Sequence, residues 1–329
     1  MDPLSDVLSL LKPRNYMSAG LDAGGAWAIQ FPEQGLGIKT GAVVTGHCWL
    51  MVEDMEPVRL DEGDCFLLAS GKSFWLGSDL AAPAMQASSV FWKSRNGGIV
   101  THNGGGDCFI VSSRFALDGS DAGRLRRMLP PVVHIRGRPE TAALRWPVER
   151  TMQELREPRA GGLLVLQQLA QMMLVEALRL HMAQGGERDG DSARGSEAGW
   201  LSALSDRQIG AAMTAIHADP PRRWTLQELA AQAGMSRSTF ALKFREMVGE
   251  TPMDYLTRWR MLLAADRLSR TSDPISQICI SLGYESESAF SNAFKKTMGC
   301  APRQYGRRLV QAAGGMEEGA DALGGSLVG

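Results

Sequence analysis

Between Trp224 and Arg245 the apolar residues Leu226, Leu229, Ala230 and Ala233 recur at spacings of three and four, which predicts a short helix with one buried stripe. Ala233, Gly234 and Met235 interrupt it, and glycine supplies the left-handed backbone that closes a helix and turns the chain. Ser236 is placed to cap a second helix, buried through Phe240 and Phe244 and polar through Arg237, Ser238, Thr239, Lys243 and Arg245. Helix, glycine turn and basic second helix are the plan of a helix-turn-helix, whose second helix enters the DNA major groove. An ordinary helical hairpin with a solvated face also fits this segment taken alone. The plan then recurs. Ile275, Ile278, Cys279 and Leu282 form a stripe, Gly283 and Tyr284 a turn, Ser286 a cap, and Phe290 and Phe294 a buried pair. Phe290 and Phe294 stand at the same offsets from Ser286 as Phe240 and Phe244 from Ser236, and a repeated unit is far less accidental than one copy. Between the copies Pro252 opens a helix predicted to reach Arg270, with Tyr255, Leu256, Trp259, Leu262, Leu263 and Leu268 on its apolar side. Its length is roughly 28 Å at 1.5 Å per residue, close to the roughly 34 Å of one turn of B-DNA.

The N-terminal text has another period. Leu4, Val7, Leu8 and Leu11 predict a short amphipathic helix. From about Trp27 to Leu117, short runs such as AWAIQF, AVVTGHCWLMVE, DCFLLAS and CFIVSSRFAL alternate with Gly, Pro, Asp or Asn, the pattern of a sandwich or barrel. Pro130 and Pro131 begin an extended segment expected to close that barrel. Two helices are predicted next, over 142–157 and 163–182, with Pro147 in the first turn of the former or kinking it. On the second, Leu163, Leu166, Ala170, Met173, Ala177 and Leu180 follow a heptad-like spacing, and Leu164, Val175, Leu178 and Met182 widen the face. So broad a face can cover the N-terminal barrel and a second subunit at once, and Leu163, Leu166, Met173 and Leu180 are the candidate dimer contacts. A helix packed only inside its own domain is the competing reading.

These patterns divide the chain into a strand-rich N-terminal domain (1–140), a helical dimerisation segment (141–184), a Gly/Ser-rich flexible linker (185–199), a DNA-binding domain (200–310) and a disordered tail (311–329). The expected fold class is α+β multidomain: an N-terminal β-barrel, a helical pair, then an all-α double helix-turn-helix domain. Net charge is −1, but residues 205–310 hold 15 Lys and Arg against 10 Asp and Glu, so the basic part is the part with the motifs. There is no uninterrupted run of about 18 apolar residues and no basic-then-apolar leader, so neither a membrane span nor a signal peptide is expected. Five cysteines without regular spacing argue for a reducing cytoplasm rather than a disulfide framework.

The expected DNA contacts are Ser236, Arg237, Ser238, Thr239, Lys243 and Arg245 on the first recognition helix. On the second they are Glu285, Ser286, Glu287, Ser288, Ser291, Asn292, Lys295 and Lys296. Arginine can pair with guanine, asparagine with adenine, and a carboxylate can accept from cytosine N4. Glu285 and Glu287 equally suit a helix N-terminus without touching DNA. The motif cores are Leu229, Ala230, Gly234, Phe240 and Phe244, then Ile278, Gly283, Tyr284, Phe290 and Phe294.

Gly249-Glu250-Thr251-Pro252-Met253-Asp254-Tyr255-Leu256, followed by Arg260 and Ala264, resembles the linker region of the AraC/XylS transcriptional regulators. Gly283-Tyr284-Glu285-Ser286-Glu287-Ser288-Ala289-Phe290, then Phe294, Gly299, Pro302 and Tyr305, is similar to their second helix-turn-helix. The resemblance covers about 205–308, departs at Gly306 where the family often has a basic residue, and implies a seven-helix, two-motif domain acting at promoters. Leu60-Asp61-Glu62-Gly63-Asp64-Cys65-Phe66, with Gly71 after it and Gly46-His47-Cys48-Trp49-Leu50 before it, resembles the cupin jelly-roll sensor of one AraC branch. Cupin enzymes hold a metal through a His-x-His pair, a Glu and a third His; none of His47, His102, His134, His181 and His217 forms such a pair. No metal, cofactor or catalytic residue is therefore assigned. The expected function is a cytoplasmic, dimeric, sequence-specific regulator, an activator, controlled by a small molecule or stress through the cupin domain. Promoter DNA, a second copy, RNA polymerase and an unidentified small-molecule effector are the implied partners. The alternatives are redox sensing through Cys48, Cys65 or Cys108, and a cupin enzyme fused to a DNA-binding domain.

Overall fold

The structure is a computed structural model, and it describes residues 2–92, 97–117, 122–126, 128–137, 142–186 and 199–307. The interior of the expected linker (187–198) and the expected tail lie outside the described residues. Two compact units form, Leu11–Ser205 and Met1–Leu10 together with Asp206–Gly329. The first ten residues thus group with those from Asp206 onward.

Helix α1 (Pro3–Leu11) leads into strands β1 (Pro13–Ala23), β2 (Ala28–Phe31), β3 (Ile38–Thr45), β4 (His47–Val52), β5 (Val58–Asp61), β6 (Cys65–Leu68), β7 (Phe74–Gly77) and β8 (Ala84–Gln86). Helix α2 (Ala87–Val90), β9 (Gly98–His102), β10 (Cys108–Leu117), α3 (Ala122–Arg126), β11 (Val132–Ile135), α4 (Ala142–Arg156), α5 (Gly162–Gly186) and α6 (Trp200–Ser205) follow. The strands form two open sheets, ordered β11-β6-β3-β10-β1-β9 and β5-β4-β7-β2-β8, so the expected closed barrel is instead a pair of facing sheets. Alternation along each strand sends one set of side chains between them. Trp27, Ile29, Phe31, Val43, Leu50, Phe66, Phe74 and Ile110 fill this core, each burial contributing about 1.5–3 kcal/mol.

Pro147 lies inside α4, and the Thr151 hydroxyl donates to its carbonyl at 2.7 Å. On α5, Gly162–Gln184 is by length and composition apolar enough to cross a membrane, which the sequence reading did not anticipate. Its polar residues instead dock it on the sensor: the Gln167 and Gln171 amides donate to the carbonyls of Asn15 and Pro13. Met173, Ala170 and Ala177 are buried in the same chain, with Thr151 of α4 beside the Met173 sulfur.

The second unit contains α7 (Arg207–Ala218), α8 (Leu226–Gln232), α9 (Arg237–Val248), α10 (Pro252–Arg270), α11 (Ile275–Ser281), α12 (Glu287–Met298) and a last helical segment, 302–307. Both motif helices α8–α9 and α11–α12 pack on α10, whose Tyr255, Leu256, Trp259, Met261, Leu262, Ala264 and Ala265 are all buried. Burial on several sides of one helix explains why no single apolar face is clean in its sequence. Within this unit Asp6 of α1 meets His217 Nδ1 at 3.0 Å, while His217 Nε2 meets the Tyr255 hydroxyl at 2.7 Å.

Candidate nucleic-acid interface

Each recognition helix is positioned by its caps. Ser236 accepts from the Thr239 N–H and Ser286 from the Ala289 N–H, satisfying donors that the helix itself leaves free. Each helix ends on a left-handed glycine, Gly249 at φ +85° and Gly299 at φ +85°. The preceding helix α8 begins with a full capping box, Thr225 with Glu228, a signal present in the sequence as Thr-x-x-Glu. Accepting from the Thr225 backbone, with Arg222 alongside, holds the Glu228 carboxyl down at about 2. The turn in each motif closes the same way: Met235 N–H donates to Ala230 O, and Tyr284 N–H to Cys279 O. Phe240 and Phe244, like Phe290 and Phe294, are fully buried, and all ten residues read as motif core are buried or half-buried except Gly234.

The outward faces correspond position by position. Ser238, Leu242 and Arg245 are exposed along α9, and Ser288, Asn292 and Lys295 stand fifty residues later along α12, also exposed. Ser236, Arg237 and Thr239 are exposed at the first helix start, and Ser286 and Glu287 at the second; Lys296 is exposed and Ser291 half-buried. Two expected contacts are otherwise engaged. The Lys243 ammonium reaches Asp206 at 2.7 Å and Gln208 at 3.0 Å, so it ties α9 to the cap of α7 rather than standing free. Glu285 is ion-paired with Arg223. Leu242, 62% exposed in the middle of the first recognition face, was missed by the sequence reading because an apolar residue there was counted toward no face. An exposed aliphatic side chain at such a position suits a thymine methyl group.

Arg260 of α10 braces the two motifs. Its guanidinium donates to the carbonyls of Pro220 (2.6 Å) and Arg222 (2.8 Å) before α8 and lies 5.6 Å from the Tyr284 ring centroid. Gly283 comes so near this segment that a Cβ would sit 2.0 Å from the Pro221 carbonyl oxygen.

In the sensor unit, His134 pairs with Asp64 at 2.8 Å, and His47 is exposed at the start of β4. Among the described residues no group of three or more His, Cys, Asp or Glu is placed to hold a metal. Cys48, Cys65 and Cys108 are buried. The neighbouring Cys108 thiol and burial push Cys48 up, and burial with Asp64 nearby pushes Cys65 up to about 12, so both favour the protonated form.

Two capped, solvent-facing recognition helices on one linker helix, in a chain that also carries a two-sheet cupin-like unit, define a DNA-binding transcription regulator with a sensor domain. Comparison with known proteins agrees. Residues 2–183 match the family model described as Cupin, and residues 229–308 the one described as Helix-turn-helix domain. A putative AraC-like transcription regulator of Streptomyces antibioticus is 42% identical over 93% of this chain and 98% of its own length. The transcriptional regulator AlkR of Acinetobacter baylyi is 28% identical over 93% of this chain and 99% of its own. Among solved structures, ToxT from Vibrio cholerae aligns over 89% of this chain and 96% of its own at 14% identity, with a TM-score of 0.31. The chain belongs to the AraC-like transcription regulators.

Proposed function

We propose that the chain acts in the cytoplasm as a homodimeric activator that binds two-part promoter sites, contacts RNA polymerase and is switched by a small molecule held in its cupin unit. The observation that carries the DNA-contact part is the matched pair of exposed stripes, Ser238-Leu242-Arg245 and Ser288-Asn292-Lys295. Arg237 and Arg245, with Leu242, read bases from the first helix; Lys295 and Lys296 neutralise phosphates from the second. Glu287 favours the α12 N-terminus, while Glu285 is neutralised by Arg223. Dimerisation rests on Leu164, Val165 and Met172, exposed apolar side chains on the outer side of α5, with Leu163 exposed in its first turn. Leu166 and Leu180, half-buried, flank that face.

Footprinting followed by affinity measurement on variant sites tests the DNA reading. Arg237→Ala is expected to relax preference at one base position at a cost of about 1–3 kcal/mol, as loss of a bidentate contact does. Lys296→Ala is expected to weaken all sequences alike and flatten the salt dependence. Unchanged base preference in the first variant, or unchanged salt slope in the second, removes that assignment.

Adjacency of the Cys48 and Cys108 thiols is what favours the second reading, oxidation sensing. The Cys48 thiol is pushed toward its protonated form, which opposes this reading because the thiolate is the reactive form, although the same hydrogen bond lowers the Cys108 pKa. Changing Cys48, Cys65 and Cys108 together to Ser is expected to leave signal-dependent transcription intact; loss of the response with DNA binding retained would put redox sensing first.

A further inference from the structure

Lys39 and Arg114 face each other directly across the antiparallel pair β3 and β10. Like charges at such a position repel and destabilise a sheet. Lys39 is 3% exposed, and its ammonium lies 4.4 Å from the Phe31 ring centroid and 5.4 Å from that of Phe74. The Arg114 guanidinium is 5.9 Å from the same Phe31 ring. Among the described residues no carboxylate pairs with either cation. A buried ammonium next to a second cation is costly, and aromatic faces offset only part of that cost. Nothing in the packing of the sheets requires a charge there: position 39 lies between Ile38 and Thr40, both buried, on a strand that is otherwise apolar or small over its first six residues.

Both cations line a cavity of about 420 Å³ between the two sheets, a size within the roughly 300–1,000 Å³ of small-molecule sites. Its walls are largely apolar, from Met17, Phe31 and Phe91, with Trp92 at an exposed position and Ser112 beside Arg114 on the same strand. A concave apolar chamber with two convergent, anion-lacking cations is built for one chemistry. We infer that this cavity binds a small organic carboxylate with an aromatic or acyl body, its carboxylate held by Lys39 and Arg114 and its body by Phe31, Phe91 and Met17. Burial, with Arg114 beside it, holds the Lys39 ammonium well below its ordinary pKa, and a bound carboxylate reverses that penalty. The inference deepens the proposed small-molecule control and rests on it only for the consequence of binding, not for binding itself.

The test is calorimetric titration of the full chain with octanoate, benzoate and 4-phenylbutyrate, each against its neutral primary amide. At least one acid is expected to bind saturably, one per chain, with its amide at least tenfold weaker. Lys39→Met and Arg114→Gln are each expected to weaken that acid at least tenfold and to leave the amide unchanged. Lys39→Met is also expected to raise Tm, since it removes a buried charge and keeps the side-chain volume. Failure of every acid to bind, equal affinity for acid and amide, or unchanged acid affinity in both variants overturns the inference. The comparison of acid with amide uses the unaltered protein, so it stands if a variant fails to fold. Promoter affinity, read by fluorescence anisotropy with and without the bound acid, separates the two readings. Saturable acid binding that leaves promoter affinity and transcription unchanged retains the site and overturns control through it.

Discussion

Gly234 and Gly283 fill the same role in the two motifs, yet their surroundings differ enough to separate strain from contact. Both hold left-handed backbone, at φ +63° and +79°. A Cβ at Gly234 meets nothing within 4 Å, whereas at Gly283 it meets the Pro221 carbonyl at 2.0 Å. Gly234→Ala is therefore expected to cost only backbone strain, about 1 kcal/mol, while Gly283→Ala costs that and a displaced backbone, above about 3 kcal/mol. Chemical denaturation of the two variants checks the order, and equal losses would show that the 220–222 segment yields freely. His217 gives a second residue-scale expectation. Burial lowers its pKa, and Arg258 adds to this, against the opposing pull of Asp6 and Asp2. The neutral ring is thus favoured in the folded chain, so stability is full above the unfolded histidine pKa of about 6.5 and falls as pH drops below it. Unfolding free energy measured from pH 8 to 5 is expected to decline over that lower range, with a shallower decline in His217→Gln. A profile that is flat, or identical in the variant, removes His217 as the cause.

At the scale of elements, periodicity revealed helices but not their partners. The spacing of Leu163, Leu166, Met173 and Leu180 correctly gave a long helix, and the structure divides that set. Met173 is 3% exposed, covered by α4 and the sheet, while Leu163 is 61% exposed. Helical spacing specifies which residues share a face; what lies against that face depends on chain far away, so the sequence alone left both readings open. Met173→Glu is accordingly expected to unfold the sensor, at a cost of several kcal/mol for an unpaired buried charge. Leu164→Glu with Met172→Glu, at exposed positions, is expected to leave circular dichroism unchanged and to halve the sedimenting mass. An unchanged mass places the interface elsewhere. The same limit explains Lys243, whose partner Asp206 lies 37 residues away, and Lys39, an isolated cation in an apolar strand. Its opposition to Arg114 exists only once β3 and β10 are in register. Capping signals fared better because they are local: Ser236 and Ser286 cap as their positions imply.

For the whole molecule, the decisive feature is that both recognition helices belong to one packed unit. Met261, Ala264, Ile278, Leu282, Phe290 and Phe294 form a continuous core that fixes α11 and α12 to α10. Phe244 packs edge-on against Tyr255 of the same helix, fixing α9. Arg260 then joins the segment before α8 to Tyr284 in the second turn. Two motifs so braced cannot rotate independently without breaking buried contacts, and they are carried on a helix of 19 residues, about 28 Å long. A rigid two-headed unit of this size is expected to enter successive major-groove segments on one face of the duplex. Inserting five base pairs between the two halves of a footprinted site turns one half away by about half a helical turn. The monomeric Leu164→Glu, Met172→Glu chain should then hold only one half, and its affinity should fall to that for an isolated half-site. A ten-base-pair insertion restores the face but not the distance, so it should rescue nothing in the monomer. Anisotropy titrations with the parent, five- and ten-pair sites decide the matter. Full affinity for the five-pair site would mean that the motifs bind independently or that only one of them touches DNA. Recovery at ten pairs alone would mean a flexible connection that the core around α10 does not permit.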